Sequence, residues 1–192
     1  MKRKKQVSNK TILTVFIVFI IVTSLLGIMF SGYTNQSNQQ EYNSHKFKAV
    51  GNFWTTEINK HQVQVHYFPT EVNTLNFTED ITPFLKTTQM AYIAIPTEGL
   101  YLDFIGLAAY ELAQSFAEYG IYPVQGLSDS NTGYELPIVT CANATSTVPV
   151  IIFEQSNQTA AFLDSNCIHI QGSGNDFVML KDALVLRLWG II

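Results

Sequence analysis

The chain has 192 residues, of which 11 are Lys or Arg and 15 are Asp or Glu. Five of the basic residues precede Thr11 and all 15 acidic residues follow Phe30, so the part after Phe30 has six basic residues and a net charge of −9. This acidic balance argues against nucleic-acid binding, which needs a basic patch, and against a domain that lies on anionic lipid.

The first 30 residues predict a membrane anchor. A basic segment, residues 1–10, precedes an uncharged and largely apolar run from Thr11 to Phe30, which is long enough to cross a bilayer as a helix of about 20 residues. Basic residues favour the cytoplasmic side, so residues 1–10 are predicted to be a cytoplasmic tail and the chain after Phe30 to lie outside the cell membrane. The alternative is a cleaved signal peptide, but bulky residues such as Met29 stand where a cleavage site has small ones.

Residues 31–48 are almost wholly polar and predict a flexible stalk, because they offer too little apolar surface to offset the entropy of ordering. Residues 49–192 are then long enough for one extracytoplasmic domain with its own core.

Strand and helix patterns alternate along this domain. Residues 61–68 alternate between apolar and polar side chains, which predicts a half-buried strand. Continuously apolar runs at 90–95 and 148–153 are typical of strands buried on both faces. The remaining predicted elements are a helix over 104–119, a strand over 121–125, short strands over 138–141 and 167–171, a short helix over 157–165 and a final helix over 176–189. Together they predict an α/β fold, a three-layer sandwich with a mostly parallel sheet, preceded by one N-terminal transmembrane helix.

Cys141 and Cys167 are the two cysteines, and both follow the predicted anchor. In an oxidising compartment an even cysteine count usually means a disulfide, and a bridge closing this loop would stabilise the fold by roughly 3–4 kcal/mol in the chain-entropy model. A redox pair is the alternative, although the Cys-x-x-Cys spacing that lowers a thiol pKa is absent.

Asn-x-Ser/Thr triplets are compatible with a glycosylated surface protein. Those on the predicted outer side begin at Asn35, Asn76, Asn143 and Asn157.

Two carboxylates are candidate catalytic residues. In open parallel sheets ligands sit beyond the carboxyl ends of the strands, and Glu98 and Glu154 fall in loops predicted to lie there. Such a pair could bind a cation or divide acid and base roles, with Ser173 and Asn175 as hydrogen-bond donors. The competing interpretation is that all four are ordinary polar loop residues.

No cofactor or metal is predicted. The glycines at 172 and 174 lack the rest of a phosphate-binding motif and are better explained by a tight turn. His66 and His169 could meet on neighbouring strands, but two histidines without a third ligand make a weak zinc site.

Several short motifs resemble uncharacterised archaeal proteins that have an N-terminal anchor and an extracytoplasmic domain. The resemblance covers the C-terminal part of the chain and implies a matching disulfide and topology, without implying an activity. The motifs that carry it are Thr140-Cys-Ala-Asn-Ala-Thr145, Val148-Pro-Val-Ile151, Asn166-Cys-Ile-His-Ile-Gln-Gly172 and Leu188-Trp-Gly-Ile-Ile192.

Three functions remain open from the sequence. The first is a non-catalytic binding or assembly domain, held to the membrane by Thr11–Phe30, with a protein partner or a second copy as its target. The second is a cell-surface enzyme of hydrolase type that uses Glu98 and Glu154. The third is a thiol oxidoreductase that uses the two cysteines.

Overall fold

The structure is a computed structural model that describes residues 39–78, 81–130 and 135–192, together with Ile20, Thr23 and Gly133. The predicted anchor, residues 11–30, therefore lies outside the described residues except at Ile20 and Thr23, and Asn35 lies outside them as well. No helix in the described part of the chain combines the length and apolar composition that a membrane crossing requires.

The first sheet has four strands that pair antiparallel in chain order. They are β1 (Gln39–Tyr42), β2 (His45–Val50), β3 (Phe53–Ile58) and β4 (His61–Val65). The two-residue turns Asn43-Ser44 and Asn59-Lys60 join β1 to β2 and β3 to β4, and all four of their residues have positive φ. Positive φ at both central residues is what a type I′ hairpin turn requires, and Asn tolerates it better than most residues.

The N-terminal boundary of the folded part differs from the sequence prediction. Residues 39–48, within the segment expected to be a flexible stalk, form β1 and part of β2. Phe47 is completely buried, and its ring packs edge-on against that of Phe68 at a centroid distance of 5.4 Å. One large apolar side chain among polar neighbours is enough to give a strand one buried face. Residues 39–192 accordingly form one compact unit.

The second sheet has six strands in the spatial order β5-β9-β10-β8-β6-β7. They are β5 (Asn76–Phe77), β6 (Met90–Ile95), β7 (Tyr122–Leu127), β8 (Val150–Gln155), β9 (Ala160–Asp164) and β10 (Cys167–Gly172). Strands β10, β8, β6 and β7 run parallel, whereas β9 is antiparallel to β10 and β5 is parallel to β9, so the sheet is mixed.

The short helix predicted over 157–165 is wrong, because β9 lies there. Strand β9 returns to β10 through a hairpin in which Asp164 pairs with Cys167 and Ser165 has a φ of 56°. Ala161 is buried on one face of β9, and Phe162 stacks on His169 on the other. Tertiary pairing overrides the weak helical preference of this segment.

Four α-helices complete the described chain: α1 (Pro69–Val72), α2 (Ile81–Lys86), α3 (Leu102–Tyr119) and α4 (Asp176–Leu188). Helix α3 buries one stripe that includes Ile105, Leu112 and Phe116, and it ends at Gly120, whose φ of 98° suits a residue without a Cβ. Helix α4 is buried on nearly all sides, which is typical of a helix at the centre of a core.

The three-layer sandwich predicted around one mostly parallel sheet is wrong. Side chains of the antiparallel sheet, of helices α3 and α4 and of one face of the six-stranded sheet share a single core. The other face of the six-stranded sheet carries half-exposed polar residues such as Glu154, His169 and Gln171. That face has no α-helical layer among the described residues. On β10 its half-exposed residues alternate with buried ones, whereas Val139 covers apolar residues of β6 and β8 on this face.

The predicted disulfide between Cys141 and Cys167 is confirmed. It ties a 3₁₀ turn, Cys141–Asn143, to the first residue of β10. Cys167 is buried beside Val139 and Val150, so the bridge holds the 135–149 connection against the outer face of the six-stranded sheet.

The position of Phe47 provides a test of where the folded domain begins. We expect Phe47→Ala to lower the free energy of unfolding by about 3–5 kcal/mol, because it leaves a cavity in the core. The measurement is urea denaturation of the domain, with Lys48→Ala at the exposed neighbouring position as control. If Phe47→Ala lowers the free energy of unfolding no more than the control does, residues 39–48 do not belong to the folded domain.

Candidate functional site

An open groove lies between helix α3 and the outer side of strands β3 and β4. Its cavity volume is about 620 Å³, within the range of small-ligand sites. The sheet contributes Phe53, Gln62 and Gln64, and α3 contributes Leu107, Tyr110, Glu111, Gln114, Ser115, Ala117 and Glu118.

Two simple periodicities explain why polar groups meet in this groove. On β4 the buried Val63 and Val65 alternate with Gln62 and Gln64, which therefore point away from the core. On α3 the residues Tyr110, Gln114 and Glu118 recur every four residues and Glu111 lies three before Gln114, so they form a stripe separate from the buried one. The lining contains two carboxylates, three primary amides and no Lys or Arg.

A buried charge cluster lies directly beneath the groove. Lys181 of α4, only 1% exposed, places its Nζ 2.7 Å from Oε2 of Glu111 and donates to Oδ1 of Asp182. Oδ2 of Asp182 accepts hydrogen bonds from the backbone N–H groups of His66 (2.7 Å) and Tyr67 (2.9 Å). Nε2 of His66 lies 2.9 Å from Oε1 of Glu111. These contacts join α3, α4 and the end of β4 at one point.

The pKa values of the two acids move in opposite directions. Burial alone would raise the pKa of Glu111, but the charge and hydrogen bonds of Lys181 and His66 outweigh it and hold this pKa below its usual range. Burial raises the pKa of Asp182, against the opposing effect of Lys181 and of the N–H groups of Tyr67 and His66. Glu111 is therefore an ionised carboxylate at the floor of the groove.

The two predicted catalytic carboxylates have different surroundings. Oε2 of Glu154 lies 3.0 Å from Nδ1 of His169 and accepts a 2.8 Å hydrogen bond from Nε2 of Gln171. Glu98 is exposed, and among the described residues no hydrogen bond or ion pair joins it to Glu154. Neither lines the groove.

Asp129 anchors the loop that contains Glu98. Its carboxylate accepts hydrogen bonds from the hydroxyl (2.6 Å) and the backbone N–H (3.0 Å) of Thr97. The Thr97 hydroxyl is the largest cause of a pKa for Asp129 below the ordinary value, and the backbone N–H groups of Thr97 and Glu98 act in the same direction.

Ser173, predicted as a hydrogen-bond donor to a ligand, donates instead to the carboxylate of Asp176 through its backbone N–H and its hydroxyl. Asn175 is exposed just before α4. The contacts of Ser173 with Asp176 therefore tie the turn after β10 to the first residue of α4.

The histidines separate into two places. His66 and His169 do not lie on neighbouring strands, because His66 follows β4 of the antiparallel sheet and His169 lies on β10 of the other. Nε2 of His169 is 3.6 Å from Sγ of Cys141, and its ring stacks on Phe162. Three ligand-type atoms, from Cys141, Cys167 and His169, lie within 4.8 Å of one another, but both sulfurs are joined in the disulfide.

The predicted glycosylation sites Asn76, Asn143 and Asn157 are exposed. Asn143 also accepts a 2.9 Å hydrogen bond from the backbone N–H of Thr140 through its Oδ1, and this contact closes the 3₁₀ turn at Cys141.

The groove and its charge cluster were missed by the sequence analysis. One signal was available, because Lys181 and Asp182 are adjacent charges within the otherwise apolar segment 177–186. A charged pair on a buried helix needs partners, and the search for them leads to Glu111. The chain matches no protein-family model, no curated protein and no solved structure.

Lys181 is the residue on which the cluster depends. We expect Lys181→Met to lower the free energy of unfolding by about 3–5 kcal/mol, because the carboxylates of Asp182 and Glu111 lose their buried counterion. Urea denaturation at neutral pH measures this, with Lys86→Met, at an exposed lysine, as a control that changes stability by less than about 0.5 kcal/mol. A loss of stability for Lys181→Met as small as that of the control would contradict the cluster.

Glu111 should make stability depend on acid pH. Its folded pKa is lower than the unfolded value of about 4.3, so its contribution is fully present above that pH and is lost as the pH falls through the lower folded pKa. We therefore expect the difference in unfolding free energy between the wild type and Glu111→Gln to be larger at about pH 5 than below about pH 4, where it shrinks. Urea denaturation across this range measures it, and the exposed Glu135→Gln serves as control. A difference that persists undiminished at the lowest pH would contradict this role.

Proposed function

We propose that the chain is a binding domain whose groove is non-catalytic and receives a cationic side chain, Arg or Lys, of a partner polypeptide. The observation that carries the proposal is the groove between α3 and β4, which presents carboxylates and amides and no basic residue.

The groove chemistry favours a cationic group over a neutral or anionic one. Glu118, whose side chain is 58% exposed and lies 3.3 Å from Nδ1 of His61, supplies negative charge, and the amides of Gln62, Gln64 and Gln114 supply further acceptor oxygens. The ring of Tyr110 is exposed, and guanidinium groups stack favourably on such rings, whereas the ring of Phe53 already packs against His66. The acid surplus of the chain after Phe30 would also steer a basic partner towards this surface.

The state of Glu111 favours binding over catalysis. A general base at neutral pH needs a pKa raised towards 7 and an oxygen free to accept the substrate proton. The pKa of Glu111 is instead lowered, and its two oxygens already contact His66 and Lys181. The alternative of a hydrolase that uses Glu98 and Glu154 has weaker support, because neither residue lines the groove.

The proposed location is the outer side of the cell membrane, with a cytoplasmic N-terminus and a single-pass anchor at 11–30. The basic segment followed by an apolar run supports this orientation. The Cys141–Cys167 bridge is consistent with an oxidising compartment. Exposed sequons at Asn76, Asn143 and Asn157 are compatible with glycosylation there.

The binding proposal is tested with arginine amide and with citrulline amide, whose side chain is the neutral isostere, and the α-amino group of both ligands is acetylated so that only the guanidinium carries charge. NMR titration of the folded domain is expected to shift the side-chain amide signals of Gln62, Gln64 and Gln114 with arginine amide and to leave them in place with citrulline amide. The affinity should fall as salt is added, because the attraction is electrostatic.

Glu118→Gln is the informative variant, because it removes an exposed groove carboxylate that lies outside the buried cluster. We expect severalfold weaker binding of arginine amide to this variant and unchanged binding to Glu135→Gln. Equal shifts with both ligands, or equal affinities of the two variants, would contradict a cation-binding groove. Sedimentation of the free domain shows separately whether it self-associates, and sedimentation of Glu118→Gln shows whether this surface takes part.

A further inference from the structure

The disulfide has an unusual set of polar neighbours on the half-exposed face of the six-stranded sheet. Nε2 of His169 faces Sγ of Cys141 at 3.6 Å, and Nδ1 of the same ring lies 3.0 Å from Oε2 of Glu154. Gln171 donates a 2.8 Å hydrogen bond to that same oxygen and so holds the carboxylate in place. The His169 ring therefore contacts the Glu154 carboxylate through one nitrogen and Sγ of Cys141 through the other.

The strand register explains how these side chains come together. Glu154 of β8 and Gln171 of β10 are paired neighbours, and His169 lies two residues before Gln171 on the same face. Phe162 of β9 is paired with His169, and their rings stack at a centroid distance of 4.8 Å with an angle of 4° between planes. The ring orientation is therefore fixed from two sides.

This geometry determines which ring nitrogen is basic. A carboxylate that accepts the proton of Nδ1 leaves the lone pair of Nε2 directed at the sulfur. An imidazole in that position can take the proton of an incoming thiol, and as imidazolium it stabilises a neighbouring thiolate. A disulfide that only links the 3₁₀ turn to β10 does not require an imidazole or a carboxylate beside it.

Access to the two sulfurs is unequal. Cys167 is 2% exposed and packs in the small cluster with Val139 and Val150, whereas Cys141 is partly exposed at the start of its turn. A nucleophile from solvent therefore meets Cys141, and Cys167 is the sulfur that leaves.

We propose that the Cys141–Cys167 bridge, with His169 and Glu154, is a thiol–disulfide exchange site that oxidises thiols of a substrate. Cys141 and His169 act on the reacting atoms, and Glu154 is a positioning residue. The site lies on the six-stranded sheet and does not depend on the cation-binding groove.

The exchange balances without any additional oxidant. The substrate thiol gives its proton to Nε2 of His169, its sulfur attacks Sγ of Cys141, and the Cys141–Cys167 bond breaks with its electron pair on Cys167, which takes that proton from the imidazolium. A second substrate thiol gives its proton to Nε2 of His169, attacks the substrate sulfur of the mixed disulfide, and releases Cys141 as a thiolate beside the imidazolium. Two electrons and two protons pass from two substrate thiols to the bridge.

The first experiment measures alkylation of Cys141 in the reduced protein as a function of pH, with the modified residue identified by mass spectrometry. A chelator is present throughout, since the freed sulfurs and His169 could bind a metal. Wild-type Cys141 is expected to react half-maximally at a pH well below the value of about 8.5 for an ordinary thiol. At about pH 6.5 we expect His169→Ala to slow the reaction roughly tenfold or more, Glu154→Gln to slow it less, and His45→Ala, on the other sheet, to leave it unchanged. An ordinary thiol profile that His169→Ala does not alter would overturn the proposal.

The second experiment uses the wild-type protein and so does not depend on whether the variants fold. Oxidised protein is incubated at neutral pH with reduced glutathione in one arm and with a short peptide bearing two cysteines in the other, and both partners are assayed for their thiols. Oxidation of the peptide alone identifies polypeptide thiols as the substrate, and oxidation of glutathione identifies small thiols. A bridge that stays oxidised in both arms, or a chain that unfolds by circular dichroism when reduced, would show a purely structural disulfide and overturn the proposal.

Discussion

The ion pairs of one buried lysine hold the described fold together. Lys181 lies on the central helix α4 and reaches the carboxylate of its neighbour Asp182 and that of Glu111 on α3. Removing such a cation from water costs several kcal/mol, and the two carboxylates offset this only because each has further partners. Asp182 binds the backbone that leaves β4, and Glu111 binds His66. The cluster therefore determines how the antiparallel sheet and both long helices meet, and it also makes the floor of the groove.

Local patterns in the sequence were sufficient for most individual elements. The apolar runs at 90–95 and 148–153 correspond to β6 and β8, the spacing in 104–119 to α3, and the final amphipathic segment to α4. The arrangement of these elements was not predictable in the same way. Continuous apolar strands indicated helices on both faces of a sheet, whereas the Cys-Ile-His-Ile-Gln sequence of β10 alternates and has a half-exposed outer face. Such alternation is typical of a sheet that is covered by helices on one face only.

The chemistry of the sites depended on contacts between residues distant in sequence. Glu154 was predicted to lie in a loop beyond a buried strand, but it lies within β8, and its neighbours are His169 and Gln171 and not Glu98. No spacing rule relates Glu111 to Lys181, because their side chains meet only when α3 packs on α4. The disulfide was the exception, since two cysteines in one compartment leave a single possible pairing.

The position of α4 along the chain has a consequence for the order of folding. The carboxylate of Asp182 binds the backbone N–H of His66 across 116 residues, and the side chains of α4 fill the centre of the core. The hairpins of β1–β4 can form early from local contacts, but their buried face has no complete partner until residues 176–188 are available. Closing such a long loop must precede the contacts of α4 with the backbone that follows β4, and distant pairings of this kind slow folding. During synthesis, the antiparallel sheet would therefore be exposed to chaperones and proteases until the last described helix emerges.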